Sequence, residues 1–155
     1  MADAPAKDDD APPIEVHGLL VCRGVGEGAD RHIVVNGVLD IIPVAGYPGE
    51  AGPLSFVAFV RAWRAGEAQV SFRVHPVDAP DVTLASFPGR LAVAKGFEGR
   101  QTVVRVEMKS LQVKQGGWFG VEFRVGETVL AKNRFLIGAI ASKSAPGAAP
   151  KAAAP

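Results

Sequence analysis

The acidic residues that could hold a metal ion or act in acid–base catalysis fall in three parts of the sequence. Asp8–Asp10 form a run in an Ala/Pro-rich leader, with nothing around them to shape a metal site. Asp78 and Asp81 flank a proline, a combination typical of a turn. Asp40 is the acid of greatest interest because it interrupts an apolar stretch, Leu-Asp-Ile-Ile. Catalysis by Asp40 is one hypothesis, and a side chain that points outward or bonds to nearby backbone is the other.

The histidines, the cysteine and the glycine-rich loop do not form a recognisable catalytic or ligand set. His17, His32 and His75 are far apart, with no partner at metal-ligand spacing. Cys22 is the only cysteine, so an intrachain disulfide is excluded; its apolar context predicts a small buried hydrophobe rather than a reactive thiol. The loop Gly24–Gly28 lacks the Lys-Ser/Thr of a phosphate-binding loop, and no Gly-x-Ser-x-Gly motif is present. We therefore expect a protein that is not an enzyme, with no cofactor and no catalytic or metal-binding residue.

The remaining candidate is a surface of charged side chains that alternate with apolar ones along three predicted strands. If these strands share one sheet, they form a mixed-charge face; a merely solvated face is the alternative. Trp63, which follows Arg61 and precedes Arg64, could be an aromatic anchor of the kind that interfaces favour, or it could pack at the end of a strand. The predicted interaction surface consists of Arg73, His75, Arg105, Lys109, Arg124 and Trp63, with Glu107 and Glu122 in the same rows.

Charge and hydropathy exclude several classes of protein. The formal net charge is +1, so there is no bulk excess of basic residues, and we expect no nucleic-acid partner. No run of about 18 apolar residues is present, so no membrane span is predicted. The first residues, MADAPAKDDDAPP, lack the features of a secretory signal, so the cytoplasm is the expected compartment.

The elements that must position these side chains are predicted to be β-strands. Residues 14–23 are partly apolar on both faces, which indicates a central strand. Residues 32–42 contain Asn36-Gly37, which favours either a hairpin turn or one long strand with a bulge or close backbone approach at the glycine. The long strand is preferred because the arms of a hairpin would be short.

The middle of the chain continues the pattern. Residues 43–53 form a Pro/Gly loop that must cross between sheets or cover one end of them. Residues 54–63 form a central strand, and Gly66-Glu67 predicts a hairpin to a strand at 70–76 whose odd-numbered residues point outward. A short strand at 82–87 is expected to stop at Pro88-Gly89, and residues 90–99 form an edge strand or an irregular connection.

Residues 100–137 predict three consecutive antiparallel strands that make one wall of a β-sandwich. Thr102 to Met108 alternate with polar residues, a turn follows at Lys114–Gly117, and Phe119 to Val125 alternate again. Gly126-Glu127 favours a type II′ hairpin that returns the chain to Ile137.

The order of these elements resembles a family of short bacterial single-domain β-sandwich proteins of unknown function. The resemblance covers about residues 14–138; Trp118 stands where that family has an aromatic of the Tyr type, and Gly24 where an acidic residue is common. It implies an immunoglobulin-like sandwich, supports a long strand through Gly37 and transfers no activity. The matching segments are 19–22, 35–42, 66–67 with 71–74, 104–111, 117–118, 119–125, and 126–127 with Leu130.

Together these observations predict an all-β, immunoglobulin-like antiparallel sandwich of about 7–9 strands. It is expected to span residues 14–141, between a disordered acidic Pro-rich leader (1–13) and a disordered Ala/Pro/Lys tail (142–155). The leading functional hypothesis is a non-enzymatic module that binds protein, or a second copy of itself, through a sheet edge, a sheet face or a loop end. The alternatives are a small-ligand or carbohydrate-binding module and, less favoured, a hydrolase.

Overall fold

The computed structural model describes residues 12–140, and every regular secondary-structure element in that range is a β-strand. The predicted tail (142–155) lies outside the described residues, as does the predicted leader (1–13) apart from Pro12 and Pro13. Pro12 is buried, and the carbonyl of Pro13 accepts a hydrogen bond from the Trp63 amide at 3.1 Å. The strands are β1 (Ile14–Glu27), β2 (Ile33–Val38), β3 (Ile41–Val44), β4 (Gly49–Ala51), β5 (Leu54–Ala62), β6 (Gly66–Pro76), β7 (Ala85–Val93), β8 (Gln101–Met108), β9 (Leu111–Val113), β10 (Gly117–Val125) and β11 (Thr128–Ala139).

The strands form a two-layer sandwich with immunoglobulin-like topology, which confirms the predicted fold class. The first sheet has the order β2-β1-β5-β8, and the second has the order β3-β11-β10-β6-β7. In the second sheet, the order β11-β10-β6 corresponds to strands G-F-C of an immunoglobulin domain. In the first sheet, the adjacent pair β5 and β8 corresponds to strands B and E. The described residues contain eleven strands rather than seven to nine because short segments, β3, β4 and β9, also pair; β4 and β9 form a small separate ribbon.

Phenylalanine side chains from both sheets fill the space between the layers. Phe56 of the first sheet lies 6.4 Å from Phe72 and 6.2 Å from Phe135 of the second, measured between ring centroids. Phe72 and Phe123, on neighbouring strands of the second sheet, are 5.2 Å apart. Rings at these separations pack favourably and remove a large apolar area from water, so the inward rows predicted from alternation are the core.

The predicted three-stranded wall over residues 100–137 is wrong. Strand β8 pairs with β5 in the first sheet, from Leu54 opposite Met108 to Arg61 opposite Gln101. Only β10 and β11 form the expected hairpin, with a two-residue turn in which Gly126 has a φ of 55°, as the first central residue of a type II′ turn requires. Alternation identifies a strand and its inward face, but it carries no information about which sheet the strand joins.

The predicted hairpin at Gly66-Glu67 is also wrong, because β5 and β6 belong to different sheets. These two residues begin β6 and pair with Val93 and Ala92 of β7. Strand β7 runs through Pro88 instead of stopping there, since it is an edge strand and the missing N–H of proline costs no ladder bond on a free edge. It therefore includes the first part of the uncertain segment 90–99.

Asn36-Gly37 lies inside β2 and is not a hairpin turn. Gly37 has a φ of 61°, and a Cβ placed there would lie 3.1 Å from the Arg23 side chain, so glycine allows both the backbone conformation and the close approach. The preferred long strand is interrupted after Val38, where the chain crosses to the second sheet. There β3 pairs in parallel with the end of β11.

The hairpin formed by β1 and β2 bends over the outer face of the first sheet. Strand β5 pairs with β1 only as far as Cys22, so the rest of β1 extends past β5. Arg105 is the register partner of Val57, and Val57 in turn is the register partner of Leu20. Arg105 nevertheless donates a hydrogen bond at 3.1 Å to the carbonyl of Val25, five residues further along β1. In a straight strand Val25 would lie about 16 Å beyond Leu20, out of reach of that side chain. The bend accounts for the complete burial of Val57 (0% exposed), which points away from the core.

Candidate functional site

The predicted interaction surface is divided between the two sheets. Arg73, His75 and Arg124 lie together on the outer face of the second sheet. Arg105 and Lys109 belong to β8 and its end, in the first sheet, so the structure does not bring them to the same face. Trp63 lies at the end of the sandwich where β6 begins. The condition for a single mixed-charge face, that these strands share one sheet, is therefore not met for β8.

Glu122 is the centre of the charged cluster on the second sheet. Its side chain is only 8% exposed, and the sheet register places it between Arg73 of β6 and Lys132 of β11. Its carboxylate oxygens lie 3.4 Å from Nε2 of His75, 3.5 Å from Arg73, 3.8 Å from Lys132 and 3.9 Å from Arg124. One carboxylate thus balances several cationic groups.

The contacts around this cluster are structural in character. Arg73 donates to Oγ1 of Thr83 at 2.8 Å and to the carbonyl of Pro80, which ties the β6–β7 loop to the sheet. Nδ1 of His75 lies 2.9 Å from the carbonyl of its neighbour Pro76. The ring fits against the sheet because the residue opposite is Gly120, where a Cβ would lie 2.6 Å from the ring. None of the residues of this cluster lines the groove described below.

Trp63 and Lys109 differ in how they are held. Trp63 is 53% exposed; its indole N–H donates to Glu15 at 3.2 Å, and the Arg61 guanidinium stacks on its ring with 5.4 Å to the centroid. Trp63 is therefore not core, although neighbouring side chains fix its orientation. Lys109 is exposed, just beyond the end of β8.

Cys22 is buried, as the sequence predicted. Its thiol lies 3.6 Å from the carbonyl oxygens of Gly24 and Ser55. Burial raises the pKa of the Cys22 thiol, and a hydrogen bond with the backbone of Gly24 opposes this only in part. A protonated, enclosed thiol is a poor nucleophile.

Asp40 and the three histidines do not converge. Asp40 is exposed at the crossing between β2 and β3, where its main-chain carbonyl accepts a hydrogen bond from the Leu136 amide at 2.8 Å. Within residues 12–140, no group of three or more His, Cys, Asp or Glu side chains is placed to hold a metal ion. That range also contains no helix long and apolar enough to cross a membrane.

Strand β2 is an edge of the first sheet that carries neither proline nor charge. Ile33, Val34 and Val38 are 44%, 42% and 57% exposed. The amide of Gly28 donates to the His32 carbonyl at 2.7 Å, so the next rung, Glu27 opposite Ile33, is a non-hydrogen-bonded pair. The main-chain N–H and C=O groups of Ile33, and of Val35 two residues later, therefore point away from β1. We call residues 33–38 the open edge.

A second candidate surface is a groove at the end of the sandwich where β6 finishes. It has a volume of about 650 Å³ and lies between the β6–β7 loop and the β9–β10 loop. Trp118, 46% exposed, forms one wall, and Arg134 stacks on its ring with 5.0 Å to the centroid. The apolar side chains Val77, Val82 and Leu84 also line the groove, and Asp78 and Lys114 are the charged residues of the lining. The sequence analysis missed this site; the only signal was a set of apolar residues beside turn-forming ones.

Comparisons with known proteins give only distant structural likenesses. No family model matches the chain, and no curated protein is significantly similar to it in sequence. The chain is 16% identical to an alkylpurine DNA glycosylase of Pseudomonas fluorescens, bound to DNA containing an abasic-site analogue (TM-score 0.49, covering 83% of this chain and 31% of that one). It is also 16% identical to an immunoglobulin-like protein of Pseudomonas aeruginosa (TM-score 0.41, 81% and 97%), and 11% identical to a β-glucosidase of Listeria innocua in complex with glucose (TM-score 0.41, 81% and 16%).

The chain thus spans less than two thirds of the glycosylase and of the glucosidase. At these identities and TM-scores the likeness does not bear on function. The sheet topology of this chain carries the immunoglobulin-like assignment by itself.

Proposed function

We propose that this protein is a non-enzymatic interaction module that binds an extended strand of a protein partner along the open edge. The observation that carries the proposal is the composition of β2. It is six residues long, Ile-Val-Val-Asn-Gly-Val, and nothing in that sequence opposes pairing with another strand.

The other edges of the two main sheets differ from β2 in this respect. Strands β3 and β7 contain Pro43 and Pro88, and β8 contains Arg105 and Glu107. Proline and charge are the usual means by which proteins prevent edge-to-edge pairing. An edge that lacks both, while its neighbours have them, favours a strand that is kept open for use.

The geometry of the open edge supports main-chain recognition. Ile33 and Val35 direct their main-chain groups outward, while Val34 and Val38 present exposed apolar side chains. An added strand would gain hydrogen bonds from the first pair and apolar contact from the second. This division, in which main chain gives affinity and side chains give selectivity, is typical of strand addition.

A pair of substitutions at one position tests the proposal. Val35→Pro removes the outward N–H, whereas Val35→Ala keeps it and removes only side-chain methyl groups. The tagged chain and both variants are used to capture proteins from the host, and captured proteins are identified by mass spectrometry. Amide hydrogen exchange of residues 33–38 is then measured with the purified partner.

The expected result is capture by the wild type and by Val35→Ala, loss of capture by Val35→Pro, and slower exchange at Ile33 and Val35 when the partner binds. Circular dichroism and thermal melting establish that both variants fold. Equal capture by all three chains, with no protection at the edge, would contradict strand addition.

The groove favours a second candidate function, the binding of a small apolar or amphipathic ligand. Its volume of about 650 Å³ falls within the usual 300–1,000 Å³ of ligand pockets. Its lining combines Trp118 with aliphatic side chains and few charges, which suits an apolar body with one polar group.

The tryptophans provide the test, because the chain has only two and they lie at opposite ends of β6. Single-tryptophan variants, Trp63→Phe and Trp118→Phe, are titrated with a panel of glycans, nucleotides and fatty acids. A saturable fluorescence change in Trp63→Phe, with none in Trp118→Phe, supports binding in the groove. No change with any compound argues against this second function.

A further inference from the structure

We infer that the acidic segment Asp8–Asp10 of this chain covers a patch of arginine and aromatic side chains at one end of the first sheet. The arginine–aromatic patch consists of Arg61, Trp63, Arg64, Phe97 and Arg100. The patch adjoins the start of β1, whereas the open edge pairs with the second half of that strand, so this contact is independent of the proposed function.

Two large aromatic side chains of the patch are more than half exposed. Trp63 is 53% and Phe97 is 56% exposed. The Trp63 ring lies against the turn that carries Phe97, because a Cβ at Gly99 would lie 3.3 Å from the ring. The Gly99 amide also donates to the Ala62 carbonyl at 2.8 Å. The two aromatic residues therefore belong to one surface, and adjoining exposed apolar groups of this kind mark an interaction site.

Arginines stack on both rings. The guanidinium of Arg61 lies over Trp63 with 5.4 Å to the centroid, and that of Arg100 lies over Phe97 with 4.9 Å. Stacking engages the face of a guanidinium, and the N–H donors along its edges can still bind carboxylates. Arg64 directly follows Trp63 and is exposed. The patch is therefore suited to a run of carboxylates.

The charges of this surface favour an anionic occupant. Glu15 and Glu98 lie beside the patch, and each already accepts a hydrogen bond, from the Trp63 indole at 3.2 Å and from the Gly96 amide at 2.7 Å. Cationic residues of the patch and its flanking turn outnumber these two carboxylates: Arg61, Arg64, Lys95 and Arg100. A segment with three consecutive aspartates is complementary to that excess.

The main chain brings the acidic segment to this surface. Pro12 is buried, and the Pro13 carbonyl accepts a hydrogen bond from the Trp63 amide at 3.1 Å. An extended chain advances by at most about 3.5 Å per residue, so Asp8–Asp10 lie within about 10 to 18 Å of Pro13. A segment tethered this closely meets the patch at a millimolar effective concentration, against which an acidic segment of another protein would have to compete. The tether therefore selects the chain's own leader as the occupant.

The test places a spin label in the leader of the full chain, on the variant Ala6→Cys. Cys22 is buried and its thiol is a poor nucleophile, so the label attaches at residue 6. The chain has two tryptophans, whose indole N–H signals are followed by NMR. Trp63 reports on the patch and Trp118 on the opposite end of β6. The label is expected to broaden the signal of Trp63 and to leave that of Trp118 unchanged.

A triple variant separates charge pairing from the effect of the tether, because the label remains on the same leader. In Asp8→Asn/Asp9→Asn/Asp10→Asn three exposed ion pairs are lost, so the ratio of covered to uncovered chains should fall about tenfold. The broadening of Trp63 should decrease accordingly. The matched control, Asp30→Asn/Asp78→Asn/Asp81→Asn, removes the same charge from exposed loops and should leave the broadening as it is.

Two further measurements test the patch itself. Arg64→Gln with Arg100→Gln should reduce the broadening, whereas Lys109→Gln with Lys114→Gln, at exposed positions outside the patch, should not. Thermal melting establishes that each variant folds. In about 1 M salt the Debye length falls to about 3 Å, so the wild-type leader should show the weak broadening of the asparagine triple.

Equal broadening of Trp63 with the wild-type leader and with the asparagine triple would overturn the inference, since the tether alone would then account for it. Broadening that persists unchanged in 1 M salt, or an equal decrease in either control variant, would overturn it as well.

Discussion

Glu122 is the single residue on which the outer face of the second sheet most depends. Its carboxylate is almost fully buried, yet it has Arg73, His75, Arg124 and Lys132 around it. Removing the charge of a buried partner leaves the opposite charges uncompensated, which usually costs more than the pair contributed. Its neighbours range from 10% to 71% exposed, so water compensates part of this loss.

We therefore expect Glu122→Gln to lower the free energy of unfolding by about 2 kcal/mol, measured by chemical denaturation. Glu67→Gln is the matched control on the same sheet. Its salt bridge to Arg90 has both side chains 62% exposed, so the loss should stay below about 0.5 kcal/mol. Equal losses in the two variants would show that the cluster is no more important than an exposed ion pair.

Cys22 gives a prediction about the pH dependence of stability. Burial raises the pKa of its thiol in the folded protein, so the unfolded chain releases this proton first as the pH rises. In that range the folded state binds more protons than the unfolded state, so the free energy of unfolding decreases as the pH increases above the ordinary thiol range.

The measurement is denaturant unfolding at several pH values between about 7 and 10, on either side of the ordinary thiol pKa. The wild type should lose stability more steeply over this range than Cys22→Ala, although the alanine variant is less stable overall. Parallel curves would mean that other groups carry the whole dependence.

The sequence predicted well which side chains of β6 face the core and which face outward. It did not predict that one outward side chain is buried. Val70, Phe72 and Val74 are buried as expected, and Arg73 lies on the outer face. His75 also points outward, yet it is buried because Gly120 opposite it has no side chain. That contact depends on the pairing of β6 with β10, which alternation within one strand cannot specify.

At the scale of elements, pairings between neighbours in sequence could be predicted and distant ones could not. The β10–β11 hairpin is closed by a two-residue turn that the sequence shows directly. The partner of β8 is β5, whose paired residues lie 40 to 54 positions earlier, and no local pattern indicates it. Gly66-Glu67 gave the wrong hairpin because a glycine-first pair also suits the start of a strand after a crossing between sheets.

The β1–β2 hairpin depends on an anchor from β8, which gives a prediction about local stability. Arg105 donates a hydrogen bond to the Val25 carbonyl, and it is the register partner of the buried Val57. Arg105→Ala should therefore loosen the hairpin without unfolding the second sheet. Hydrogen exchange followed by mass spectrometry should show faster exchange for residues 22–38 and unchanged exchange for β10 and β11. Lys109→Ala, an exposed position near the end of the same strand, is the control, and equal acceleration in both variants would contradict the anchoring role.

At the scale of the whole molecule, the open edge and the groove are formed by different parts of the chain. The edge belongs to one short strand, and its lack of charge and proline can be read from residues 33–38. The groove is formed by two segments, around 77–84 and 112–117, with residues 85–111 between them in the sequence. The sequence contains the residues of both surfaces, but only the three-dimensional fold brings the two segments together.

Because no residue of β2 lines the groove, substitutions in the two surfaces should act independently. Trp118→Ala is expected to leave the free energy of β2 pairing unchanged, and the double variant with Val35→Pro should match Val35→Pro alone, within about 0.5 kcal/mol. The measurement is the dissociation constant from sedimentation velocity, for a captured partner, with all three variants studied at equal concentration. If Trp118→Ala instead weakens pairing by more than about 1 kcal/mol, the groove and the open edge are energetically coupled. A partner must then contact both surfaces.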